Sequence, residues 1–295
     1  MSAYEAKKQS KAARIFKNIG EGIIRIPKEH IGFRKQIFML AKQDLIKTYK
    51  GAVIGPFWAL MKPLFQLFVY WFAFTIGMNG NSNRVATELK IPFFVFIMVG
   101  FLPWCFMSDC VSRGSKCLRD NRQFVNKISF PVSAIMTYTT ISKFYIHLML
   151  FSFAYAYLVI AGFMPSIYNL QIFGYAALMF IFYLALTWSL APMSAFSKDF
   201  ESFIATIMSG LFWLSGVCFD SYTIKNDFIK KLLLFNPMTF FINGYRKALI
   251  YDQWFYEGFY HADYENLIFL CEFIFVLVLG IFNYNRLRKD LPDVL

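Results

Sequence analysis

Six long apolar segments constrain the fold of this 295-residue chain more than any other feature. The loops between them alternate in their content of Lys and Arg. A bilayer core of about 30 Å needs about 20 mostly apolar residues for one helical crossing. Backbone groups cannot stay unpaired in lipid, so each segment must be helical. We therefore predict an all-α integral membrane protein with six transmembrane helices, near Pro56–Met78, Ile91–Val111, Ser133–Gly162, Ile172–Phe196, Phe203–Phe219 and Glu265–Tyr284. The fifth segment is short, so another element is expected to shelter its far end.

The positions of Lys and Arg predict the orientation of these crossings, because cytoplasmic loops are enriched in both residues. Basic residues crowd residues 1–50, the loop between spans 2 and 3, and the tail after span 6, whereas the loop between spans 3 and 4 has none. Both termini are therefore predicted to be cytoplasmic, with the protein in the cytoplasmic membrane. Residues 1–33 form a basic N-terminal extension in this interpretation, and residues 34–295 form the membrane domain. Asp220–Asp263 would lie outside, although its own basic residues run against the rule.

Several classes of function are disfavoured by what the sequence lacks. It has no GxxxxGK[ST] loop for ATP phosphates, no GxGxxG dinucleotide motif and no HExxH zinc motif. Its five cysteines form no close CxxC pair, so neither a disulfide nor a metal site is expected. The net charge of +12 comes without a nucleic-acid recognition module, so we expect no nucleic-acid partner. We predict a protein that is not an enzyme and carries no cofactor. Uphill transport would then need a partner or an ion gradient.

Ionisable residues inside the predicted spans keep an ion-coupled secondary carrier open as an alternative. Such residues are functional candidates by default, and here they are Lys62, Asp109, Lys143 and Glu272. Lys62 can extend towards the inner interface, whereas Lys143 and Glu272 lie deeper. The two halves of the chain show no inverted repeat of the kind that many secondary carriers have. Proton coupling is therefore the less favoured mechanism.

The segment Arg34–Lys50, before the first span, is predicted to form a helix that lies in the membrane interface. Phe38, Ala41, Leu45 and Tyr49 would share its apolar face. Lysines occupy the rest of its surface, namely Lys35, Lys42, Lys47 and Lys50. A plain membrane anchor and a substrate-facing role are both compatible with this pattern.

Two connecting segments carry further helical patterns. Arg113–Phe130 is basic with scattered apolar residues, which fits a short amphipathic helix that docks on another protein, although a solvated loop is the alternative. After span 5, Phe228–Phe235 is amphipathic, Asn236-Pro237 interrupts it, and Met238–Tyr251 resumes helical character. Neither of these last pieces is long enough to cross the bilayer. We predict two half-helices in or above the outer leaflet.

Aromatic residues make up 20% of the chain, and some are candidates for the lining of a transport pathway. Tyr70, Trp71 and Phe74 recur at helical spacing and can share a face of span 1. Trp104 follows Gly100–Pro103, which we predict to break span 2. Aromatic rings contact sugars through their apolar faces. Lipid contact is the competing explanation.

Short motifs in a fixed order resemble one family. Leu40–Lys50 (LAKQDLIKTYK) and Ile54–Pro63 (IGPFWALMKP) resemble the start of the ABC-2 type permeases that export cell-surface polysaccharide. Further family positions are matched, in order, by Phe130-Pro131, Lys198-Asp199, Asn236-Pro237 and Gly244-Tyr245-Arg246. The resemblance covers residues 35–295, nearly the whole chain.

Within this family, three segments look closest to the permeases that translocate teichoic acid. They are Leu67–Gly77, Gly100–Trp104 and Tyr251–Phe255. Two features depart from the family pattern. Lys198 stands where the family commonly has arginine, which weakens any bidentate pairing there, and the N-terminal extension has no counterpart that we can place.

The resemblance implies a homodimer of permeases, each with a separate ATP-binding subunit that holds ATP and Mg. The substrate would be a lipid-diphosphate-linked polymer such as teichoic acid or a related polysaccharide, and membrane lipid would surround the helices. Substrate would be bound by Lys35, Lys42, Lys47, Lys50, Tyr70, Trp71, Phe74 and Trp104. The ATPase stroke would be received by Arg119, Arg122, Phe124, Val125 and Lys127. A different ABC-2 exporter, of lipid or drug, is the alternative within the family.

Overall fold

The computed structural model describes residues 20, 22, 24–48, 50–51, 55–77, 83–85, 90–127, 130–257 and 262–295. These residues form a bundle of long helices with short helices at both ends. The α-helices, in chain order, are residues 24–32 (α1), Arg34–Thr48 (α2), Trp58–Trp71 (α3), Phe93–Gly114 (α4), Cys117–Asp120 (α5), Arg122–Lys127 (α6), Val132–Ile160 (α7), Gln171–Phe196 (α8), Lys198–Leu214 (α9), Asp227–Leu234 (α10), Pro237–Leu249 (α11), Ala262–Leu287 (α12) and Leu291–Val294 (α13).

Other elements join or extend these helices. A π-helix continues α3 over Phe72–Gly77. Strands Asn83–Val85 (β1) and Lys90–Pro92 (β2) pair antiparallel, with Arg84 opposite Ile91. Single turns of 3₁₀-helix cover Gly55–Phe57, Ile167–Leu170 and Ser221–Thr223. The small strand pair was not predicted, and it lies between two long helices without interrupting the bundle.

Five helical segments of the described chain are long and apolar enough to cross a bilayer. They are Trp58–Gly77, Phe93–Gly114, Val132–Ile160, Ile167–Phe196 and Tyr264–Leu287, which correspond to predicted spans 1 to 4 and 6. The predicted fifth span is represented by α9, which begins earlier than predicted, at Lys198, and ends at Leu214. The prediction of a helical membrane protein is confirmed, and the sixth crossing stays a prediction.

Helix α4 lies at the centre of the bundle, in contact with α3, α7, α8, α9 and α11. The predicted break in this span is wrong, because the helix continues through Gly100 and Pro103 to Gly114. Proline is tolerated in a membrane helix when neighbouring helices cover the backbone groups that it frees. Gly100 serves close packing instead, since a Cβ at this position would lie 2.6 Å from Nη2 of Arg246 on α11.

Helix α2 packs along α7 and is not an isolated surface helix. The prediction of its apolar face is only partly confirmed. Ala41 is buried as expected, but Ile37 (3% exposed) occupies the contact while Phe38 is 57% exposed. Ile37 and Ala41 are four residues apart, so both side chains meet the same neighbouring helix. Tyr49, the fourth member of the predicted face, lies outside the described residues.

The helix that precedes α2 also packs on the bundle. On α1, Glu29 Oε2 accepts a hydrogen bond from Ser133 Oγ of α7 (2.5 Å), and His30 Nε2 hydrogen-bonds with Thr137 Oγ1 (2.6 Å). Arg25 Nη2 donates to Asn285 Oδ1 of α12 (2.7 Å). The end of the predicted N-terminal extension is therefore tied to two of the membrane helices.

The two predicted half-helices after α9 are present as α10 and α11. Between them, the Asn236 side chain accepts a hydrogen bond from the backbone N–H of Met238 (3.0 Å), and Pro237 takes the first position of α11. Asparagine as the N-cap followed by proline is a common helix start. Most of α11 is buried against α4 and α8. Protein therefore covers this interrupted backbone, as a membrane setting requires.

Candidate functional site

A cavity of about 400 Å³ lies between α3, α4, α7 and α9. Its lining divides into an aromatic part and a charged part. The aromatic part is formed by Tyr70, Phe101, Trp104, Phe106, Phe212 and Trp213. The charged part is formed by Lys62, Asp109, Arg113 and Lys143. A cavity with rings at one side and charges at the other can receive a ligand that carries both apolar and ionic groups.

The aromatic part is held by ring contacts between different helices. Tyr70 of α3 stacks on Phe212 of α9, with ring centroids 4.8 Å apart, and Trp104 of α4 meets Phe212 edge-on at 5.3 Å. Gln66 Nε2 donates a hydrogen bond to the Tyr70 hydroxyl oxygen (2.6 Å). Aromatic pairs at these separations add stability beyond the area they bury. The rings are therefore held in defined positions around the cavity.

The four predicted pathway aromatics separate into two pairs. Tyr70 and Trp104 both line the cavity. Trp71 instead packs against Phe94, with centroids 6.3 Å apart, and Phe74 packs against Phe93 at 5.7 Å. Helical spacing put Tyr70, Trp71 and Phe74 near one another, but the neighbouring helices cover their rings differently.

The charged part brings together residues that are far apart in the sequence. Lys62, Asp109 and Lys143, which were singled out as ionisable residues within the spans, come from α3, α4 and α7 and line the same cavity. Arg113 joins them from the last turn of α4. Glu272, the fourth such residue, is on α12 and does not line it.

A second polar cavity, of about 500 Å³, shares two residues with the first. Arg113 and Lys143 line both cavities. Asp44 and Lys47 of α2 and Asp120 of α5 also line the second one. Among the interface-helix lysines, Lys47 is thus beside this cavity, while Lys35, Lys42 and Lys50 are exposed elsewhere. The shared residues connect α2 with the aromatic cavity.

Electrostatics in the second cavity weaken its acidic side. Burial raises the pKa of the Asp120 carboxyl, and the nearby carboxylate of Glu201 raises it further, against the lowering effect of Lys116. A carboxyl with a raised pKa takes up a proton more readily.

The predicted docking loop folds as α5 and α6 and is anchored to α9. Arg119 Nη1 donates to Glu201 Oε2 (2.7 Å), and Lys116 Nζ lies 2.8 Å from Glu201 Oε1. Arg119 also donates to the Ser194 carbonyl oxygen. Sequence reasoning missed Glu201, although it is an acidic residue in a predicted cytoplasmic surface that is otherwise mostly basic. Its two oxygens connect the loop to the start of α9.

The other predicted coupling residues lie on α6. Phe124 is half-buried, with its ring 6.2 Å from that of Phe130, and Val125 is also half-buried. Arg122 is exposed. The backbone of Lys127 belongs to α6, but its side chain lies outside the described part of the chain. Phe124 therefore keeps only part of its ring free for another protein.

A buried arginine joins three parts of the fold. Arg246 of α11 is 1% exposed and donates to the carbonyl oxygens of Gly216 and Val217, each at 2.8 Å, and to that of Phe96 at 3.4 Å. Its guanidinium carbon lies 3.6 Å from the centre of the Phe96 ring. Gly216 has φ of +82°, a conformation that favours glycine. This arginine fixes the turn after α9 to α4 and α11.

Membrane-length helices around a charged cavity define a multi-pass membrane protein of the transporter class. Comparison with known proteins gives the family: residues 35–250 match the family described as ABC-2 type transporter. The chain belongs to that family, and the membership expected from its motifs is confirmed.

Two relatives illustrate the similarity. The O-antigen export system permease protein RfbA of Myxococcus xanthus is 27% identical over 237 residues, which cover 78% of this chain and 86% of the relative. A protein of the same description from Klebsiella pneumoniae is 22% identical over 263 residues, which cover 88% and 94% of the two chains. The similarity therefore extends over nearly the whole length of both relatives.

Proposed function

We propose that this chain is the permease subunit of an ABC exporter that moves a lipid-linked cell-surface polymer across the cytoplasmic membrane. The observation that carries the proposal is the cavity in which Tyr70 and Trp104 face Lys62 and Lys143. Its rings suit sugar faces and its cations suit phosphate groups. The similarity to permeases of O-antigen export systems supports a polysaccharide substrate. Teichoic acid, to which three segments bear resemblance, is the more specific candidate.

The proposed assembly contains two copies of this chain and two ATP-binding subunits. Large apolar side chains project from α3 and α9, among them Phe65 (69% exposed) and Phe203 (58% exposed). Exposed apolar surface on neighbouring membrane helices can be covered by lipid or by a second copy, and family resemblance favours the copy. ATP and Mg would be held by the partner, because the sequence has no phosphate-binding loop.

Dependence on a partner is the first prediction. The purified chain in proteoliposomes should show only background ATP hydrolysis and no export of lipid-linked polymer. Adding the ATP-binding subunit should produce both activities, measured by phosphate release and by access of an external glycosidase or phosphodiesterase to the polymer. Robust hydrolysis by the isolated chain would refute the subunit assignment. Export driven by a proton gradient alone would identify an ion-coupled carrier instead.

The second prediction concerns which aromatic residues line the proposed transport pathway. In a background without native cysteines, Tyr70→Cys and Trp104→Cys should react with a water-soluble thiol reagent roughly tenfold faster than Trp71→Cys, because a thiol in lipid or tight packing rarely ionises. Mass spectrometry of the labelled protein measures the rates. Trp71 is the matched control, since it neighbours Tyr70 but does not line the cavity. Equal labelling rates at all three positions would show that the cavity is not part of an aqueous pathway.

The third prediction concerns the connection between α5 and α9. Glu201→Gln removes the charge that holds Lys116 and Arg119 but preserves side-chain size. Partly exposed ion pairs contribute about 1 kcal/mol together, so the population in which α5 contacts α9 should fall by up to roughly fivefold. Export per ATP hydrolysed should fall with it. Asp199→Asn is the matched control, because Asp199 lies on the same first turn and is exposed. Unchanged coupling in Glu201→Gln would remove this contact from the transmission path.

A further inference from the structure

Lys143 of α7 is a buried lysine that lines both cavities. Its side chain is 3% exposed, and it forms neither an ion pair nor a hydrogen bond with any described residue. It lies about 16 Å along the α7 axis from Val132, roughly a third of the way into the predicted crossing Ser133–Gly162. Placing an unpaired charge at such a depth is unfavourable, so residues of this kind mark binding or transport sites. A bound anion would stabilise the charged form of this lysine.

The nearest carboxylates act on Lys143 only at a distance, since Asp109 and Asp44 interact with it electrostatically without forming an ion pair with it. Lys62, Arg113 and Lys143 line the aromatic cavity with one carboxylate, Asp109. Asp109 forms no ion pair with a described residue, so no cation of the cavity is neutralised by direct contact. The cations come from three different helices and surround a space of about 400 Å³. An anion placed there could contact several of them together.

The second cavity adds one further unpaired cation and two carboxylates. Lys47, Arg113, Lys116 and Lys143 line it together with Asp44 and Asp120, and Lys116 is already paired with Glu201. Lys143 and Arg113 are common to both cavities. With Lys116 paired, the described residues that line the two cavities together include four other cations and three carboxylates, and the two shared cations lie where the cavities meet.

We propose that Lys143 and Arg113 form a binding site for a phosphate-class anion, namely a diphosphate or phosphodiester group. A phosphate-class group has several acceptor oxygens, so it can contact Lys143 and Arg113 together. Arginine presents a fork that matches phosphate oxygens, and lysine acts as a point charge. The site rests on the proposed function in one respect, since it would hold the charged part of the exported molecule beside the aromatic cavity.

Inorganic pyrophosphate is the probe for this site. The full-length permease would be placed in phosphatidylcholine nanodiscs without the ATP-binding subunit, which has a phosphate site of its own. Calorimetry should detect saturable binding, at least tenfold weaker in Lys143→Met and Arg113→Gln. Asp109→Asn should bind more tightly, because it removes the only carboxylate that lines the first cavity among described residues. Lys289→Gln, in the exposed tail, should bind like the wild type.

A second readout separates ligand binding from a structural role. Lys143→Met replaces an unpaired buried charge with an apolar chain of similar length, so its unfolding temperature without ligand should rise. Improved stability with weakened binding is typical of functional sites. Unchanged pyrophosphate affinity in Lys143→Met, or a lowered unfolding temperature, would overturn the proposal.

The source of the phosphate group is resolved by changing the lipid. If a phospholipid headgroup occupies the site, phosphatidylglycerol nanodiscs should stabilise the wild type but not Lys143→Met, and should weaken pyrophosphate binding. If the site belongs to the exported molecule, the lipid change should have no such effect, while polymer export by Lys143→Met falls. Absence of pyrophosphate binding with normal export in Lys143→Met would refute the site and leave the proposed function intact. Pyrophosphate binding without any polymer export by the wild-type complex would support the site and refute the proposed function.

Discussion

Replacing Arg246 with methionine is expected to destabilise the folded chain by about 3 kcal/mol or more, since hydrogen bonds from a charged donor contribute about 1.5–3 kcal/mol each. The substitution leaves the buried carbonyl oxygens of Gly216, Val217 and Phe96 without this donor. It also opens a cavity beside the Phe96 ring. Thermal unfolding in detergent, followed by size-exclusion chromatography, should show a large loss of monodisperse protein. Arg246→Lys should recover only part of the stability, because an ammonium group cannot reproduce the planar fork.

The packing partner of Arg246 provides a matched test. Gly100→Ala should cause a similar loss, since its Cβ would lie 2.6 Å from Nη2 of the arginine. The double variant should lose less than the sum of the single losses, because both changes disrupt one contact. Gly210→Ala is the control: it adds a methyl group to α9 where nothing lies within 4 Å of the new atom, and it should be neutral or slightly stabilising. Additive losses for Gly100→Ala and Arg246→Met would show that the two positions act independently.

Replacing Phe124 with alanine is expected to weaken the association with the ATP-binding subunit. Interface anchors of this type contribute about 2 kcal/mol, which corresponds to roughly a 30-fold higher Kd. The Phe124 ring already contacts Phe130, so only part of its surface is free to contact the ATP-binding subunit. Co-purification from membranes and titration of the reconstituted complex would measure the change.

The control for Phe124→Ala must separate protein docking from lipid contact. Phe38→Ala removes an exposed aromatic ring from α2, the predicted interface helix, and should leave the association unchanged. Membrane insertion of both variants should be normal. If Phe124→Ala supports wild-type complex yield and wild-type coupled export, the anchor is not Phe124, and crosslinking from Arg122 would then be used to locate the contact.

The helical class, most of the spans and the family could be predicted from the amino-acid sequence, and there is a physical reason for each. Lipid excludes unpaired backbone, so a long apolar run has one available structure. The half-helices α10 and α11 were also predictable, because Asn236-Pro237 carries both a helix stop and a helix start. These features depend on local chemistry and need no knowledge of neighbouring helices.

Other features were decided only by the packing of helices that are distant in the sequence. Helical spacing grouped Tyr70 with Trp71, but the position of Phe212 on α9 brings the Tyr70 ring to the cavity. Proline suggested a break in α4, whereas burial among five helices keeps it continuous. The arginine on α11 reaches a carbonyl group 150 residues earlier. Periodicity defines which residues share a face of a helix. It does not define which helix covers that face, or which charges meet in one cavity. Both depend on how side chains from distant segments pack together, and no single segment contains that information.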